Sequence, residues 1–126
     1  MGKSEGTNGR LVMIVDDDES IRDLMDFIVK REGFDTVLDS SAKSAVEKAE
    51  KLNPAVILLD MSLTNSTGMD VVEKLKDRNI PIVIMTGYTG DHEDLKNIRK
   101  YPCVKCLLTK PVSPQSVADI IKEIAG

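Results

Sequence analysis

Acidic, hydroxyl and amino side chains follow four short apolar runs of this chain. Leu11 to Val15 leads into Asp16-Asp17-Asp18, Ala55 to Leu59 into Asp60, Pro81 to Met85 into Thr86, and Val104 to Leu108 into Thr109-Lys110-Pro111. Runs of this length are typical of buried strands, and the carboxyl ends of parallel strands line one crevice of an α/β sheet. The side chains are therefore expected to meet in one acidic site that binds a phosphate.

Asp16, Asp17 and Asp60 supply carboxylates that would repel one another if they converged. Each pair would repel by about 4 kcal/mol at a separation of about 4 Å and an effective dielectric constant near 20. Such a cluster needs either bound protons or a cation, and oxygen ligands without thiol or imidazole select a hard ion. A site that also holds a phosphate and several waters favours Mg²⁺ over Ca²⁺.

Lys110 and Thr86 add the groups that a phosphoryl ligand needs. Lys110 is a compact cation that would neutralise part of the remaining charge and bind a phosphoryl oxygen, and Thr86 offers a hydroxyl to another oxygen. Because phosphoryl transfer depends mainly on positioning and charge neutralisation, a carboxylate held in line is an adequate nucleophile. Asp18 and its neighbours Glu19 and Ser20 are expected instead to interact with the dipole of the first helix.

The elements that must position these residues are five strands alternating with five helices. The strands are expected at Leu11 to Val15, Phe34 to Leu38, Ala55 to Leu59, Ile82 to Met85 and Val104 to Leu108. This alternation predicts parallel pairing with right-handed crossovers, in a doubly wound (βα)5 sandwich of the α/β class.

Each intervening segment carries apolar residues at helical spacing, which are expected to face inward. They are Ile21, Leu24, Met25, Ile28 and Val29; Ala42, Ala45, Val46, Ala49 and Leu52; Val71, Val72 and Leu75; Leu95 and Ile98; and Val117, Ile120, Ile121 and Ile124. Ser41 and Ser113, the latter followed by Pro114, are expected to cap two of the helices. Ser62 to Gly68 and Gly87 to Asp94 are expected to be loops.

Length and charge restrict the function classes. The 126 residues correspond to about one domain, with residues 1–9 interpreted as a flexible tail or expression remnant and residues 10–126 as the domain. A net charge of −4 argues against sequence-independent binding of nucleic acid. The longest apolar run is far below the roughly 20 residues of a membrane span, and the N-terminus lacks the apolar core of a signal peptide. A cytoplasmic location is expected.

Cys103 and Cys106 form a C-x-x-C spacing. A redox pair would place its first thiol at a helix N-terminus after a strand, and a structural zinc site needs two further ligands. Here the pair brackets the start of a strand, and His92 is the only histidine. Two reduced thiols and a solvent-exposed histidine are therefore expected.

Residues 10 to 125 resemble the receiver domains of two-component response regulators. The resemblance is carried by LVMIVDDDESIRDLM, VILLDMSLTNSTGMDVV, PIVIMTGYTG and LLTKPV. It implies a flavodoxin-like sheet of order 2-1-3-4-5 and a cis Lys110-Pro111 peptide bond. It also implies these site residues: Asp60 as phosphoacceptor; Asp16 and Asp17, with the backbone carbonyl of Ser62, as Mg²⁺ ligands beside Asp60; Thr86 as the switch hydroxyl; and Lys110 as the site lysine.

The same resemblance implies partners. In the family the phosphoryl group comes from a histidine kinase or a histidine phosphotransfer domain, and phosphorylation switches a surface that contacts an output protein or domain. The chain is then a signalling phosphoacceptor that assists its own phosphorylation and dephosphorylation rather than an enzyme. Direct contact with nucleic acid or membrane is not expected.

Three positions depart from the family pattern. Thr64 stands where a proline is common, Leu107 stands where an aromatic residue usually precedes the lysine by three positions, and Tyr101 to Cys106 replaces a Gly-Ala approach to the last strand. An aliphatic side chain has no hydroxyl and cannot repeat the movement of an aromatic ring. The resemblance therefore does not imply how a change at Thr86 would reach the output surface.

Other function classes fit the residues less well. A Mg²⁺-dependent phosphohydrolase with an aspartate nucleophile would normally carry a second aspartate two residues later, where this chain has Ser62. A flavodoxin-like module for nucleotide or flavin would need a glycine-rich loop after the first strand, where this chain has carboxylates. A degenerate receiver used only for protein contacts is disfavoured because every acid and lysine position is filled.

Overall fold

The chain forms a parallel sheet whose strands are not in sequence order. The computed structural model describes residues 10–63, 66–87 and 93–126. Its sheet contains β1 (Leu11–Val15), β2 (Asp35–Asp39), β3 (Val56–Asp60), β4 (Ile82–Thr86) and β5 (Val104–Thr109). The parallel order β2-β1-β3-β4-β5 confirms the predicted doubly wound, flavodoxin-like fold. From β1 the chain adds β2 on one side and β3, β4 and β5 on the other. The strand order therefore reverses between β1 and β3, and the crevice lies at the carboxyl ends of these two strands.

Five helices cover the two faces of the sheet in the part of the chain that is described. They are α1 (Glu19–Arg31), α2 (Ala42–Leu52), α3 (Gly68–Leu75), α4 (Glu93–Ile98) and α5 (Pro114–Ala125). The Asp18 carboxylate and the Ser41 and Ser113 hydroxyls accept hydrogen bonds from backbone N–H groups in the first turns of α1, α2 and α5. These N–H groups have no partner inside their helix, so the caps fix where the helices begin and confirm the predicted starts.

The core has two apolar layers, one on each face of the sheet. Helices α2, α3 and α4 contribute to the first layer, and α1 and α5 contribute to the second. Successive residues of a strand point to opposite faces, so Met13 and Val15 enter the first layer while Val12 and Ile14 enter the second. This double burial explains why the central strands are uninterrupted apolar runs. No helix in the described ranges is both long and apolar enough to cross a membrane.

The ends of four strands differ from the prediction by one residue. β2 and β3 lie one residue later than expected, and β4 and β5 each continue for one more residue, to Thr86 and Thr109. As a result Asp60 belongs to β3 and pairs with Met85 across the sheet. Ladder hydrogen bonds use the backbone, so a polar side chain does not end a strand by itself.

The predicted loop from Ser62 to Gly68 is wrong in part. Ser62–Leu63 and Ser66–Thr67 form a short antiparallel pair, and α3 already begins at Gly68. Strands of two residues are too short to show the alternation by which a strand is recognised in a sequence. The second predicted loop also ends early, because α4 begins at Glu93.

Two leucines that were expected to face inward are exposed. Leu24 of α1 is 42% exposed and Leu52 of α2 is 45% exposed. Leu24 is rotated by about 100° from the buried Met25, which places it at the margin of the apolar stripe. Leu52 is the last residue of its helix, which ends at Asn53 in a left-handed conformation, φ 49°.

Cys103 and Cys106 lie on opposite faces of the sheet. Ile82 pairs with Val104 and Val83 pairs with Cys106, so Lys105 is an extra residue that forms a bulge in β5. Cys103 consequently belongs to the first core layer, and Cys106 packs against the second. Both thiols are free, and burial raises the pKa of each. This confirms the prediction of two reduced thiols rather than a redox pair.

Several predictions fall outside the described residues. These concern the tail at 1–9, the departure at Thr64, and His92 with most of the loop before α4. The Lys110-Pro111 peptide bond is described, and it is cis as the resemblance implies.

Candidate functional site

Three carboxylates meet at the carboxyl ends of β1 and β3. Asp16, Asp17 and Asp60 each place a carboxylate oxygen within 4.8 Å of the others. Asp16 is fully buried, Asp60 is 5% exposed, and Asp17 is open to solvent. The predicted acidic cluster therefore forms because its residues follow the two strands on either side of the crevice.

Lys110 lies between the two buried carboxylates. Its Nζ is 3.1 Å from Oδ1 of Asp60 and 3.4 Å from Oδ2 of Asp16. The backbone N–H of Lys110 donates to the carbonyl of Thr86 at 2.7 Å, which holds the start of the β5–α5 connection against the end of β4. The structure thus brings the predicted lysine into the acidic cluster.

The charges of the site act on the protonation of its members. Burial raises the pKa of the Asp60 carboxyl, repulsion from Asp16 raises it further, and the ammonium of Lys110 opposes both. For Lys110, burial lowers the pKa, but attraction to Asp60 and Asp16 outweighs it, and the pKa lies above its usual value. One ammonium therefore does not neutralise this cluster.

Thr86 and Ser62 also lie beside Asp60. Thr86 ends β4, the strand next to β3, and is 1% exposed. A backbone hydrogen bond at Ser62 lowers the pKa of the Asp60 carboxyl, so this residue touches the site through its main chain. The switch role of Thr86 and the metal contact of the Ser62 carbonyl stay predictions.

The connection from β1 to α1 is held by its own polar groups. The Asp18 N–H donates to Oδ1 of Asp16 at 2.9 Å, and the Asp18 carboxylate in turn caps α1. Nη1 of Arg22 donates to the backbone carbonyl of Asp16 at 2.8 Å. Asp18 therefore acts as a helix cap, as predicted, and it also orients a buried acid of the site.

Sequence reasoning missed two residues at this edge of the sheet. Asp39, at the end of β2, is 9% exposed, and its carboxylate accepts from the Ser40 N–H at 2.8 Å and pairs with Lys48 at 3.3 Å. The rule that strand ends carry functional acids would have included it if β2 had been predicted one residue later. Gly68 is the second, since an added Cβ would lie 2.9 Å from the carbonyl oxygen of Asp60.

Gly68→Ala is expected to lower the free energy of unfolding by about 2 kcal/mol, the usual cost of forcing an extra carbon into a packed site. The Cβ would also meet the Cα of Met61, so either α3 or the end of β3 must move. Gly87→Ala is the matched control, because a Cβ there meets no atom of the described residues within 4 Å. Urea unfolding followed by circular dichroism measures both, and equal stability of the two variants would show that the close approach has no cost.

The sequence matches the response regulator receiver domain family over residues 12–122. The chain belongs to this family. The receiver domain is 31% identical over 121 residues to the polar-differentiation response regulator DivK of Brucella ovis, covering 91% of this chain and 95% of DivK. It is also 31% identical over 113 residues to the alkaline phosphatase synthesis transcriptional regulatory protein PhoP of Bacillus subtilis, covering 90% of this chain and 47% of PhoP. The chain therefore spans about half the length of PhoP.

Solved structures show the same fold. A CheY-like receiver domain protein from Methanospirillum hungatei superimposes with a TM-score of 0.81 at 24% identity, covering 91% of this chain and 92% of its own. Chemotaxis protein CheY4 of Vibrio cholerae gives a TM-score of 0.82 at 22% identity, covering 92% and 98%. At these identities the likeness concerns the fold alone.

Membership in the family makes this chain a signalling domain of two-component systems. Receiver domains are phosphoacceptors rather than conventional enzymes, generally bind Mg²⁺, and interact with histidine kinases or phosphotransfer proteins and with output domains. The cluster of this chain fits Mg²⁺, since its donors are carboxylate oxygens alone. Burial and repulsion from Asp16 raise the pKa of Asp60, so a cation bound beside it would favour its charged form.

Proposed function

We propose that Asp60 of this receiver domain accepts a phosphoryl group from a phosphohistidine donor. The observation that carries the proposal is the position of Asp60. Its Oδ1 lies 3.1 Å from Nζ of Lys110, and a carboxylate oxygen from each of Asp16 and Asp17 lies within 4.8 Å of one from Asp60. An Asp60 oxygen attacks the phosphorus in line with the bond to the leaving group. The new O–P bond forms as the P–N bond breaks, and the electron pair of that bond leaves with the imidazole nitrogen.

Asp16, Asp17 and Asp60, with the backbone carbonyl of Ser62, would hold Mg²⁺. When bound, the ion supplies positive charge to the phosphoryl oxygens and to the carboxylates around them. Asp16 is oriented for this by the Asp18 N–H and by Lys110. Asp17 is the solvent-exposed member of the cluster, so it is accessible to an incoming ion.

Lys110 and Thr86 complete the proposed site. Lys110 already contacts Asp60, and its ammonium would bind a phosphoryl oxygen once the Asp60 carboxylate is phosphorylated. Thr86 would donate its hydroxyl to another phosphoryl oxygen, a hydrogen bond strengthened by the charge of the acceptor. Because these groups stabilise the transferred phosphoryl in both directions, the domain would assist its own phosphorylation and dephosphorylation.

Asp60→Asn is expected to abolish phosphorylation. The purified domain is incubated with Mg²⁺ and acetyl phosphate, and the added phosphate is located by mass spectrometry. Asp39→Asn is the matched control, because Asp39 is also a buried strand-end aspartate but lies outside the acidic cluster, and it should be labelled like the parent. Undiminished labelling of Asp60→Asn would refute the assignment.

A histidine kinase or a histidine phosphotransfer domain is the proposed donor, and the output partner is a protein or domain. PhoP is named a transcriptional regulatory protein, but this chain spans 47% of it. We propose no direct contact with nucleic acid, since the net charge is −4. The cytoplasmic location stays a prediction.

A further inference from the structure

Arg22 reaches back from the first turns of α1 to the end of β1. Its Nη1 donates to the carbonyl oxygen of Asp16 at 2.8 Å, in a partly buried position. Its backbone N–H donates to the carbonyl of Asp18 at 2.9 Å, which is the first hydrogen bond of the helix. One residue therefore joins the helix to the strand across the three-residue connection that carries the acids.

The carbonyl of Asp16 belongs to the peptide group that leads into Asp17. A peptide group is planar, so a hydrogen bond that fixes this carbonyl also fixes the position of the Asp17 Cα. The strand side of Asp16 is held separately, because its N–H donates to the Asp39 carbonyl at 3.1 Å. Arg22 thus fixes the peptide group that precedes Asp17, whose carboxylate is exposed.

We propose that Arg22 is a positioning residue of the magnesium site, which orients Asp17 by binding the Asp16 carbonyl. This inference rests on the proposed function, in which Asp17 binds the ion directly. Groups that hold a metal ligand in place commonly change metal affinity by tenfold to a hundredfold. Arg22 does not touch the phosphoryl group in this proposal and acts only through the acids.

The direction in which Mg²⁺ affinity changes on removal of the Arg22 guanidinium distinguishes a positioning role from an effect of its charge. A guanidinium near the cluster repels Mg²⁺, so removal of its charge alone would strengthen binding of the ion. Loss of the hydrogen bond would let the peptide before Asp17 rotate and would weaken binding. A positioning role therefore predicts weaker binding in a variant that has lost a positive charge.

Arg22→Met is expected to raise the Mg²⁺ dissociation constant by about tenfold in calorimetric titration. The rate of phosphorylation by acetyl phosphate should recover to within about twofold of the parent at saturating Mg²⁺, because the reacting groups are unchanged. Arg31→Met, on the same helix about 13 Å further along, is the control for loss of charge and should bind like the parent.

The inference is overturned if Arg22→Met binds the ion as tightly as the parent or more tightly. If the parent itself binds no Mg²⁺, or if Asp17→Ala binds as well as the parent, the proposed metal site fails instead. Circular dichroism of each variant keeps loss of folding apart from these outcomes.

Discussion

Lys110→Met is expected to lower the free energy of unfolding of the metal-free domain at pH 7 by about 3 kcal/mol, as when a buried ion pair loses one partner. Lys110 is the cation within 3.4 Å of both Asp16 and Asp60, and its side chain is 28% exposed. Methionine preserves most of the side-chain volume, so the expected loss comes from the buried carboxylates rather than from a cavity. Urea unfolding followed by circular dichroism measures the change.

The loss in Lys110→Met should depend on pH. Burial and Asp16 raise the pKa of Asp60, and Lys110 opposes this rise more strongly than the Ser62 backbone hydrogen bond does, so removal of Lys110 raises the pKa further. A carboxyl whose pKa is higher in the folded than in the unfolded state contributes stability that is present below the unfolded value and lost as pH rises through the folded value. The difference between variant and parent should therefore be small near pH 4 and increase toward neutral pH.

Lys48→Met is the control for this prediction. Lys48 pairs with Asp39 at the same edge of the sheet, but its side chain is 42% exposed, and solvent screens such a pair. Burial raises the pKa of Asp39, but hydrogen bonds from Ser44, Ser40 and Ser41, together with the smaller effect of the Lys48 charge, outweigh burial and lower it. The small contribution of Lys48 should likewise fade as this carboxyl is protonated in acid, so Lys48→Met should differ little from the parent at either pH. A deficit of Lys110→Met that is the same at both pH values would contradict the electrostatic explanation.

The acidic site could be predicted from the sequence because strand ends converge in a parallel sheet. Asp16, Asp17, Asp60 and Lys110 each follow an apolar run, and the topology alone brings them together. Hydrophobic periodicity was enough to predict the strands and helices, because most of their apolar side chains are buried on the expected faces. The sheet order came from the resemblance to the family, since periodicity does not determine which strands are neighbours.

Other features depend on distances that no local pattern contains. The need for glycine at position 68 follows from the approach of α3 to the Asp60 carbonyl. The contact of Arg22 with Asp16 requires the geometry of the β1–α1 connection. The bulge at Lys105, which separates the two cysteines, is visible only in the pairing of β4 with β5. Each is a tertiary property of residues that are unremarkable in sequence.

Magnesium is expected to reverse the order of stability of the parent and Asp60→Asn. Without the ion, Asp60→Asn should be the more stable protein at pH 7, because the amide removes a carboxylate whose pKa is raised by burial and by Asp16. With Mg²⁺ at 100 times its dissociation constant, the parent should gain about 2.7 kcal/mol through binding to the folded state. Asp60→Asn lacks one ligand and should gain less.

Thermal or urea unfolding of both proteins, with EDTA and with increasing Mg²⁺, measures this reversal. The advantage of Asp60→Asn without metal should disappear as pH falls below the unfolded pKa of about 3.8, because the parent carboxyl is then neutral as well. Asp17→Ala tests the same cluster from its exposed side and should also lose most of the gain from Mg²⁺. If the parent and Asp60→Asn gained equally from Mg²⁺, the metal would lie away from Asp60. If Asp60→Asn were less stable than the parent in EDTA, attraction of Asp60 to Lys110 would outweigh its repulsion by Asp16.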